Sequence, residues 1–215
     1  MTDTPSADYL LVDHFYLQPT PAGVFHAVSD NSKDRQRNFL LQLLKYPVTP
    51  RADDEQLCQW YETSDTQEAL SLLYEAQSFS WVQGFATPQE LTTEGIGRAL
   101  PRLLFNLSSV HKALIVDANG IALANCGLNE ETAETLAALT ADIAAVQARH
   151  SKRLAHSLGI ATQGWGAIDA FGSSRIGLWP LFIGQQRLML VLLGEPRLHH
   201  GDFVTLIWLL VSRYG

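Results

Sequence analysis

The second half of the chain alternates apolar runs with turns in an order typical of a small α/β module. Apolar residues recur at three- and four-residue steps from Gly95 to Leu107 and from Phe203 to Tyr214, which predicts a helix at each end. Five apolar runs bounded by turn residues predict strands at 112–117, 121–126, 165–170, 174–182 and 187–193. Asn119-Gly120 joins the first two strands, because this pair favours the positive backbone angles of a tight hairpin.

A long helix from Asn129 to Ser157 is predicted between the second and third strands. Asn129 can cap it, acidic residues crowd its first turns and basic residues its last, and Gly159 is a suitable stop. One stripe along it is mostly large and apolar: Leu136, Leu139, Ile143, Val146, His150 and Leu154. A second stripe is small: Ala133, Ala137, Ala141, Ala144, Ala148 and Ala155. One stripe can cover the sheet, and the small one would let a second helix approach closely; alternatively, the alanines only reflect helix propensity.

The first half predicts a hairpin, three helices and a further strand. The hairpin strands are residues 9–17 and 24–28, joined by the turn-rich segment Pro19-Thr20-Pro21-Ala22-Gly23. Helices are predicted at 34–45, 53–61 and 66–77, and a strand at 79–85. This order resembles a winged-helix domain, but helix 66–77 has no Lys or Arg, so such a domain would contact protein. The alternative is an irregular α+β cap that buries part of the second half.

The segment Ala86–Glu90 contains turn and helix-start residues and separates the two halves. The sequence therefore predicts an α+β protein with two domains. Residues 1–90 form an acidic, helix-rich domain with a winged-helix-like layout as one interpretation, and residues 91–215 form the second domain.

Charge is also divided between the halves. Residues 1–105 contain 7 Lys and Arg against 14 Asp and Glu, whereas residues 106–215 contain 8 of each kind. A nucleic-acid-binding protein needs clustered Lys and Arg to neutralise phosphates, and neither half has such a cluster. We therefore expect no binding to nucleic acid.

Composition favours a cytoplasmic protein. Cys58 and Cys126 lie far apart among apolar neighbours, which is typical of free thiols in a reducing compartment. The polar start of the chain lacks the pattern of a signal peptide. The longest apolar runs fall short of the roughly 18 residues that a membrane span requires.

Residues typical of catalysis or metal binding are sparse. None of the 7 histidines forms a pair at the four-residue helical spacing of a zinc site, and neither cysteine has a second cysteine nearby. Gly95-Ile-Gly97 and Gly164-Trp-Gly166 lack the remaining glycines of a phosphate-binding loop, and no Gly-Lys-Ser/Thr loop exists. We therefore expect no enzymatic activity, no metal and no cofactor. His150, within the large apolar stripe, is more typical of a buried or interfacial histidine, which could make self-association pH-sensitive.

One run carries a family resemblance. Lys112 to Ala124 (Lys-Ala-Leu-Ile-Val-Asp-Ala-Asn-Gly-Ile-Ala-Leu-Ala), followed by the long helix and by Ile176-Gly-Leu-Trp-Pro-Leu, resembles the Roadblock family, named for a dynein light chain. The resemblance covers residues 95–215 and implies a five-stranded antiparallel sheet with the long helix on one face. It also implies homodimers in which the second strand pairs with its mate and the long helices pack nearby. Members of the family typically regulate or scaffold small Ras-like GTPases, and bacterial members act with partner GTPases in polarity and motility.

The residues themselves agree with such a dimer at one point. Ile121–Cys126 would lie at a sheet edge with unpaired backbone groups, and it has no charge or proline to discourage pairing. The predicted dimer interface comprises Ile121, Leu123, Asn125, Ala133, Ala137, Ala144 and Ala148.

The sequence therefore predicts a non-enzymatic, homodimeric scaffold or regulator that binds a protein partner, with a small Ras-like GTPase as the candidate. The alternative is a small-molecule sensor, in which Trp165, Phe171 and Trp179 line a pocket and the N-terminal domain is the output domain. An apolar pocket with converging polar groups would favour the sensor, whereas a filled core between sheet and helix would favour the scaffold.

Overall fold

The computed structural model describes residues 9–12, 14–159 and 163–215, and these form two compact units. The first unit comprises the described residues up to 27 together with 33–91, and the second comprises 28–32 with the described residues of 92–215. That the chain has two domains, at residues 1–90 and 91–215, remains a proposal. No helix in the described ranges is long and apolar enough to cross a membrane.

The first unit is rich in helices and contains a two-stranded antiparallel sheet. Its elements are β1 (Tyr16–Pro19), α1 (Pro21–Val28), α2 (Arg35–Leu43), α3 (Asp54–Trp60), α4 (Thr66–Ser78) and β2 (Val82–Phe85). β1 pairs with β2, with Tyr16 opposite Phe85. The strand predicted at 9–17 therefore begins only at Tyr16; its residue 13 lies outside the described residues. The winged-helix layout stays a prediction.

Aspartates set the starts of the three predicted helices of this unit, which the structure confirms. The side chain of Asp34 accepts backbone N–H groups at the start of α2, Asp53 does so for α3, and Asp65 does so for α4. Such N-caps satisfy donors that have no partner within the helix. The helices therefore begin where a short acidic side chain precedes the apolar pattern.

The predicted N-terminal hairpin is wrong, because residues 24–28 belong to α1. The hydroxyl of Thr20 accepts the N–H of Gly23 at 3.1 Å, and the carbonyl of Thr20 accepts the N–H of Val24 at 2.9 Å. Pro21 occupies the first helical position, where its missing N–H would have no partner anyway. The segment from Pro19 to Gly23 therefore starts a helix instead of turning a hairpin, and β1 pairs with the distant β2.

A polar network in the first unit is centred on the buried side chains of Tyr61 and Gln36. Tyr61 is 1% exposed, and its hydroxyl donates to Oε1 of Gln36 at 3.1 Å. Nε2 of Gln36 donates to the carbonyl of Leu72 at 2.8 Å and to Oε2 of Glu75 at 3.0 Å. Burial, reinforced by the charge of Glu75, raises the pKa of the Tyr61 phenol. The hydroxyl therefore stays protonated and continues to donate, which ties α2 to α4 and to the end of α3.

The second unit is a five-stranded antiparallel sheet with helices, as predicted. Its elements are α5 (Ile96–Leu107), β3 (Ala113–Val116), β4 (Ala122–Cys126), α6 (Glu130–Leu158), β5 (Trp165–Ile168), β6 (Ser174–Ile183), β7 (Gln186–Leu193) and α7 (Gly201–Tyr214). The strand order is β4-β3-β7-β6-β5, so β4 and β5 form the two edges. All four residues of β3 are fully buried, as expected for a strand covered on both faces.

The ends of α6 lie where the sequence places them. Oδ1 of Asn129 accepts the N–H of Thr132 at 2.8 Å, which caps the first turn. Gly159 adopts the left-handed conformation with φ of 66°, and its N–H bonds back to the carbonyls of Ala155 and Leu154. Because a residue with a Cβ is strained at that φ, glycine is the natural stop.

Two helical glycines provide a matched test of the packing. A Cβ on Gly23 in α1 would overlap the carbonyl oxygen of Trp81, whereas a Cβ on Gly97 in α5 meets nothing within 4 Å. We expect Gly23→Ala to lower the free energy of unfolding by roughly 1–3 kcal/mol through overpacking. Gly97→Ala should raise it by roughly 0.5–1 kcal/mol by reducing the freedom of the unfolded chain. Urea unfolding followed by circular dichroism measures both, and a Gly23→Ala variant as stable as the wild type would contradict the close packing of α1 on Trp81.

Candidate self-association and partner-binding surface

The turn between β3 and β4 is fixed by one carboxylate and lies against α6. Oδ1 of Asp117 accepts the N–H groups of Asn119 and Ile121 at 2.9 and 2.8 Å. Gly120 has φ of 81°, and a Cβ there would lie 3.3 Å from Cβ of Ala141. The hairpin predicted at Asn119-Gly120 is therefore confirmed, although only Gly120 of this pair has a positive φ, and the small side chain of Ala141 leaves room for it.

The side of α6 that covers the sheet carries Ala133, Ala137 and Ala144 of the small stripe, and Leu136 and Ile143 of the large stripe also pack against the core there. Ala133 and Ala137 are 4% and 1% exposed. They belong to one core cluster with Leu114, Val116, Leu178, Met189 and Val191. Ala144 is half-buried against the same cluster. Thr140 and Gln147 of α6 are buried as well, at 1% and 3% exposure, so the sheet-facing side combines alanines with polar side chains.

This arrangement corrects part of the predicted interface. The alanine stripe was expected to face a second helix, but Ala133 and Ala137 have almost no surface left to offer one. Ala144 is largely committed to the same core, whereas Ala148 is exposed. That Ala148 lies in a dimer interface therefore stays a prediction.

The large apolar stripe lies beside the sheet-facing one and is partly exposed. Leu139 is 46% exposed, Val146 is 39% exposed, and Ile143 between them is half-buried against the core. These three residues are called the outer stripe of α6 below. His150 continues this stripe toward the C-terminal end and is exposed within the single chain.

The predicted interface strand, β4, lies at one edge of the sheet. It pairs with β3 in antiparallel orientation, with Leu114 opposite Asn125. Ile121 and Leu123 are 59% and 39% exposed, while Oδ1 of Asn125 accepts the N–H of Leu128 at 3.3 Å. Ile121 and Leu123 therefore offer apolar surface, whereas Asn125 helps to turn the chain toward α6. Their role in a dimer stays a prediction.

The opposite edge, β5, was not singled out from the sequence. All four of its residues are exposed, with Trp165 at 42% and Ile168 at 71%. The indole N–H of Trp165 donates to Oε1 of Gln147 at 2.7 Å, which anchors this edge to α6. The order of strands in a sheet cannot be read from a chain by local pattern, but the uncharged, apolar run was a usable signal for an open edge.

The pocket expected for a sensor is only partly present. A cavity of about 360 Å³ at β5 and β6 is lined by Trp165 and Trp179, but Phe171 does not line it and is 95% exposed. A Cβ on Gly177 would overlap the indole of Trp179, so this ring already packs on the glycine backbone. The prediction that the three aromatic residues share one pocket is therefore wrong.

The remaining candidate chemistry consists of two cysteines, and one of them, Cys126, is the last residue of β4. Among residues 9–12, 14–159 and 163–215, no group of three or more His, Cys, Asp and Glu side chains could hold a metal ion. Cys58 and Cys126 are free thiols. Burial raises the pKa of the Cys126 thiol, whose sulfur donates to the carbonyl of His111 at 3.4 Å.

The turn at Asp117 gives a test of how the β4 edge is held. Asp117→Ala leaves two backbone N–H groups without their acceptor, so we expect the free energy of unfolding to fall by roughly 1–2 kcal/mol. Asp142→Ala, at an exposed position of α6, should change it by less than about 0.5 kcal/mol. Thermal and urea unfolding compare the two variants, and equal stabilities would argue against a structural role for the Asp117 carboxylate.

One segment of the chain matches a known domain family. The Roadblock/LC7 domain model matches residues 98–160. No curated protein matched the sequence. The Roadblock/LC7 domain from Streptomyces avermitilis is 12% identical and covers 56% of this chain and 93% of its own, with a TM-score of 0.36. Myxococcus xanthus MglB is 22% identical, covering 55% and 89%, with a TM-score of 0.33.

The gliding protein MglB from Thermus thermophilus is 23% identical and covers 57% of this chain and 93% of its own, with a TM-score of 0.35. TM-scores this low carry no argument by themselves, so the assignment rests on the match to residues 98–160. That match to the Roadblock/LC7 domain confirms the family resemblance predicted for the C-terminal half of the chain.

Proposed function

We propose that the C-terminal unit is a non-enzymatic, homodimeric regulator or scaffold that binds a small Ras-like GTPase. The Roadblock/LC7 match supports the coarser part, a regulatory protein-interaction module. The dimer and the identity of the partner are proposals that go beyond that match.

The outer stripe of α6 is the observation that carries the dimer proposal. Leu139 and Val146 expose large fractions of apolar side chains on a helix of 29 residues, next to the stripe that packs on the sheet. Contiguous exposed apolar surface is uncommon on a soluble monomer and usually marks a contact site. A second copy of α6 packed on the outer stripe would remove this surface from water.

The charges of α6 are complementary to those of a second copy in antiparallel orientation. Its acidic residues lie in the first half: Glu130, Glu131, Glu134 and Asp142. Its Lys and Arg residues lie in the last third: Arg149, Lys152 and Arg153. A two-fold axis uses the same surface on both copies, so antiparallel helices bring each acidic end to the basic end of its mate. Charge therefore supports antiparallel pairing and opposes parallel pairing.

An open strand edge can extend the same contact. Unpaired N–H and C=O groups on an edge favour addition of another strand. We propose that β4 pairs with the β4 of a second copy, and that Ile121 and Leu123 cover this contact. The other open edge, β5, competes with β4 for this role.

Solution mass tests the dimer. Light scattering should give the full chain a mass of twice 23.8 kDa. Val146→Asp should dissociate it to monomers, because it places a charge within an apolar contact. The matched control is Ala145→Asp, which adds the same charge at the next, exposed position and should leave the dimer intact.

Two further variants identify the edge. Leu123→Asp should weaken the dimer if β4 pairs, whereas Ile168→Asp on β5 should leave it unchanged. The reverse result would assign the contact to β5. A wild-type chain that stays monomeric at high concentration would refute the homodimer, and circular dichroism of each variant establishes that it is folded.

The GTPase proposal is tested by nucleotide-dependent capture. The full chain is immobilised and exposed to lysate of its source cells, supplemented with Mg²⁺ and either GDP or a non-hydrolysable GTP analogue. We expect mass spectrometry to identify a GTP-binding protein that is recovered more strongly with one nucleotide, because a regulator distinguishes the two states of a switch. The Val146→Asp variant shows whether capture requires the dimer. Equal recovery with both nucleotides, or no GTP-binding protein, would contradict the proposal.

A further inference from the structure

The turn between β3 and β4 contains a chemically reactive pair of residues. Residues 117–121 are called the Asp117 turn below. Asn119-Gly120 is the one Asn-Gly pair in the sequence, and Asn119 is exposed. The backbone nitrogen that follows an asparagine can attack the side-chain amide, and glycine allows the closest approach because it has no Cβ. Sequence and exposure therefore make Asn119 a candidate for spontaneous deamidation.

This reaction requires no reagent other than water. The N–H of Gly120 gives its proton to a base in the solvent, and the nitrogen then forms a bond with Cγ of Asn119. The bond between Cγ and Nδ2 breaks, and Nδ2 takes a proton from water and leaves as ammonia. Water opens the resulting cyclic imide at either of its two carbonyl groups. The product is aspartate or isoaspartate, in which the main chain runs through Cβ and Cγ.

The closed Asp117 turn opposes the first step. The N–H of Gly120 donates to the carbonyl of Asp117 at 3.1 Å, so the proton that must be lost is held within the chain. Nδ2 of Asn119 donates to Oδ2 of Asp117 at 3.4 Å. Both reacting groups therefore have partners in the closed turn, and the reaction must begin from a turn that has opened locally. Its rate then follows the fraction of molecules in which the turn is open.

The products are incompatible with the closed turn. A carboxylate at position 119 would lie beside the carboxylate of Asp117 in place of a donor, so repulsion replaces attraction. An isoaspartate also adds one atom to the main chain between positions 119 and 120, whereas the register of a hairpin depends on the length of its loop. Either product therefore weakens the turn that holds β4 in register with β3.

We propose that Asn119 is a site of self-deamidation, that opening of the Asp117 turn limits its rate, and that its products loosen the β4 edge. The modification and its effect on stability do not depend on self-association. Its effect on a dimer rests on the proposed function, in which β4 pairs with the β4 of a second copy.

Peptide mapping by mass spectrometry tests the site. The purified full chain is incubated at mildly alkaline pH, which favours loss of the Gly120 proton, and samples are digested at intervals. Aspartate and isoaspartate should accumulate at position 119. Asn31 is the internal control, because it is also exposed but precedes Ser32, and it should keep its amide over the same period. Conversion at position 119 that is no faster than at Asn31 would overturn the inference.

Two variants test whether opening of the turn limits the rate. Asp117→Ala should speed deamidation at Asn119 about tenfold, which corresponds to about 1.4 kcal/mol in the opening equilibrium. Asp142→Ala, at an exposed position of α6, should leave the rate unchanged. Conversion of Asn31 in the same samples reports general unfolding, since local opening of the turn does not affect it. Equal rates at Asn119 in the two variants would show that the turn does not protect this residue.

The effect on β4 is measured on the deamidated chain, separated from the fresh chain by ion exchange. Its urea unfolding midpoint should lie below that of Asn119→Ser, which loses the amide donor without gaining a charge. Light scattering should show that it dissociates at a higher concentration than the fresh dimer. A deamidated chain as stable as Asn119→Ser would contradict the loosened edge. A fresh chain that is monomeric would refute the homodimer, while mapping and unfolding still decide the inference.

Discussion

The packing of α6 on the sheet is the contact on which the rest of the second unit depends. Ala133 and Ala137 lie directly on side chains of β3, β6 and β7, so the helix sits close to the sheet. A helix held this close also meets the β3–β4 turn, where Gly120 approaches Ala141, and reaches β5 through the hydrogen bond between Gln147 and Trp165. One helix therefore contacts both edges of the sheet and fixes their positions.

The same contact decides which surface is left for other molecules. Because small residues face the sheet, the neighbouring stripe with Leu139 and Val146 turns toward solvent. Had the large residues covered the sheet, the exposed side of α6 would carry alanines and little apolar area. The placement of Ala133 and Ala137 inside and of Leu139 and Val146 outside thus favours stability of the single chain and association with a second molecule at once.

Local signals in the sequence predicted most of the fold. Asn129, Gly159 and Asn119-Gly120 act through hydrogen bonds within a few residues, so their elements lie where expected. The hairpin turn predicted at Pro19–Gly23 was wrong, because proline, threonine and glycine are typical of both a turn and a helix start. Whether this segment turns a hairpin or starts a helix depends on the pairing of β1 with β2, which lie more than 60 residues apart in the chain. Local pattern could not decide how the two stripes of α6 divide between sheet and solvent, because the packing of the strand side chains decides it.

The exposed surfaces differ in what they require of a partner. The outer stripe is broad, apolar and flanked by charges of opposite sign at its two ends, so an identical helix in antiparallel orientation satisfies it. The turn between β5 and β6 exposes Phe171, but the charges beside it are mixed, because Arg175 pairs with Asp169 at 2.8 Å and the exposed Glu195 accepts the N–H of Ser174. Charge therefore favours one orientation for a second copy of α6, but it favours no particular partner for the turn between β5 and β6.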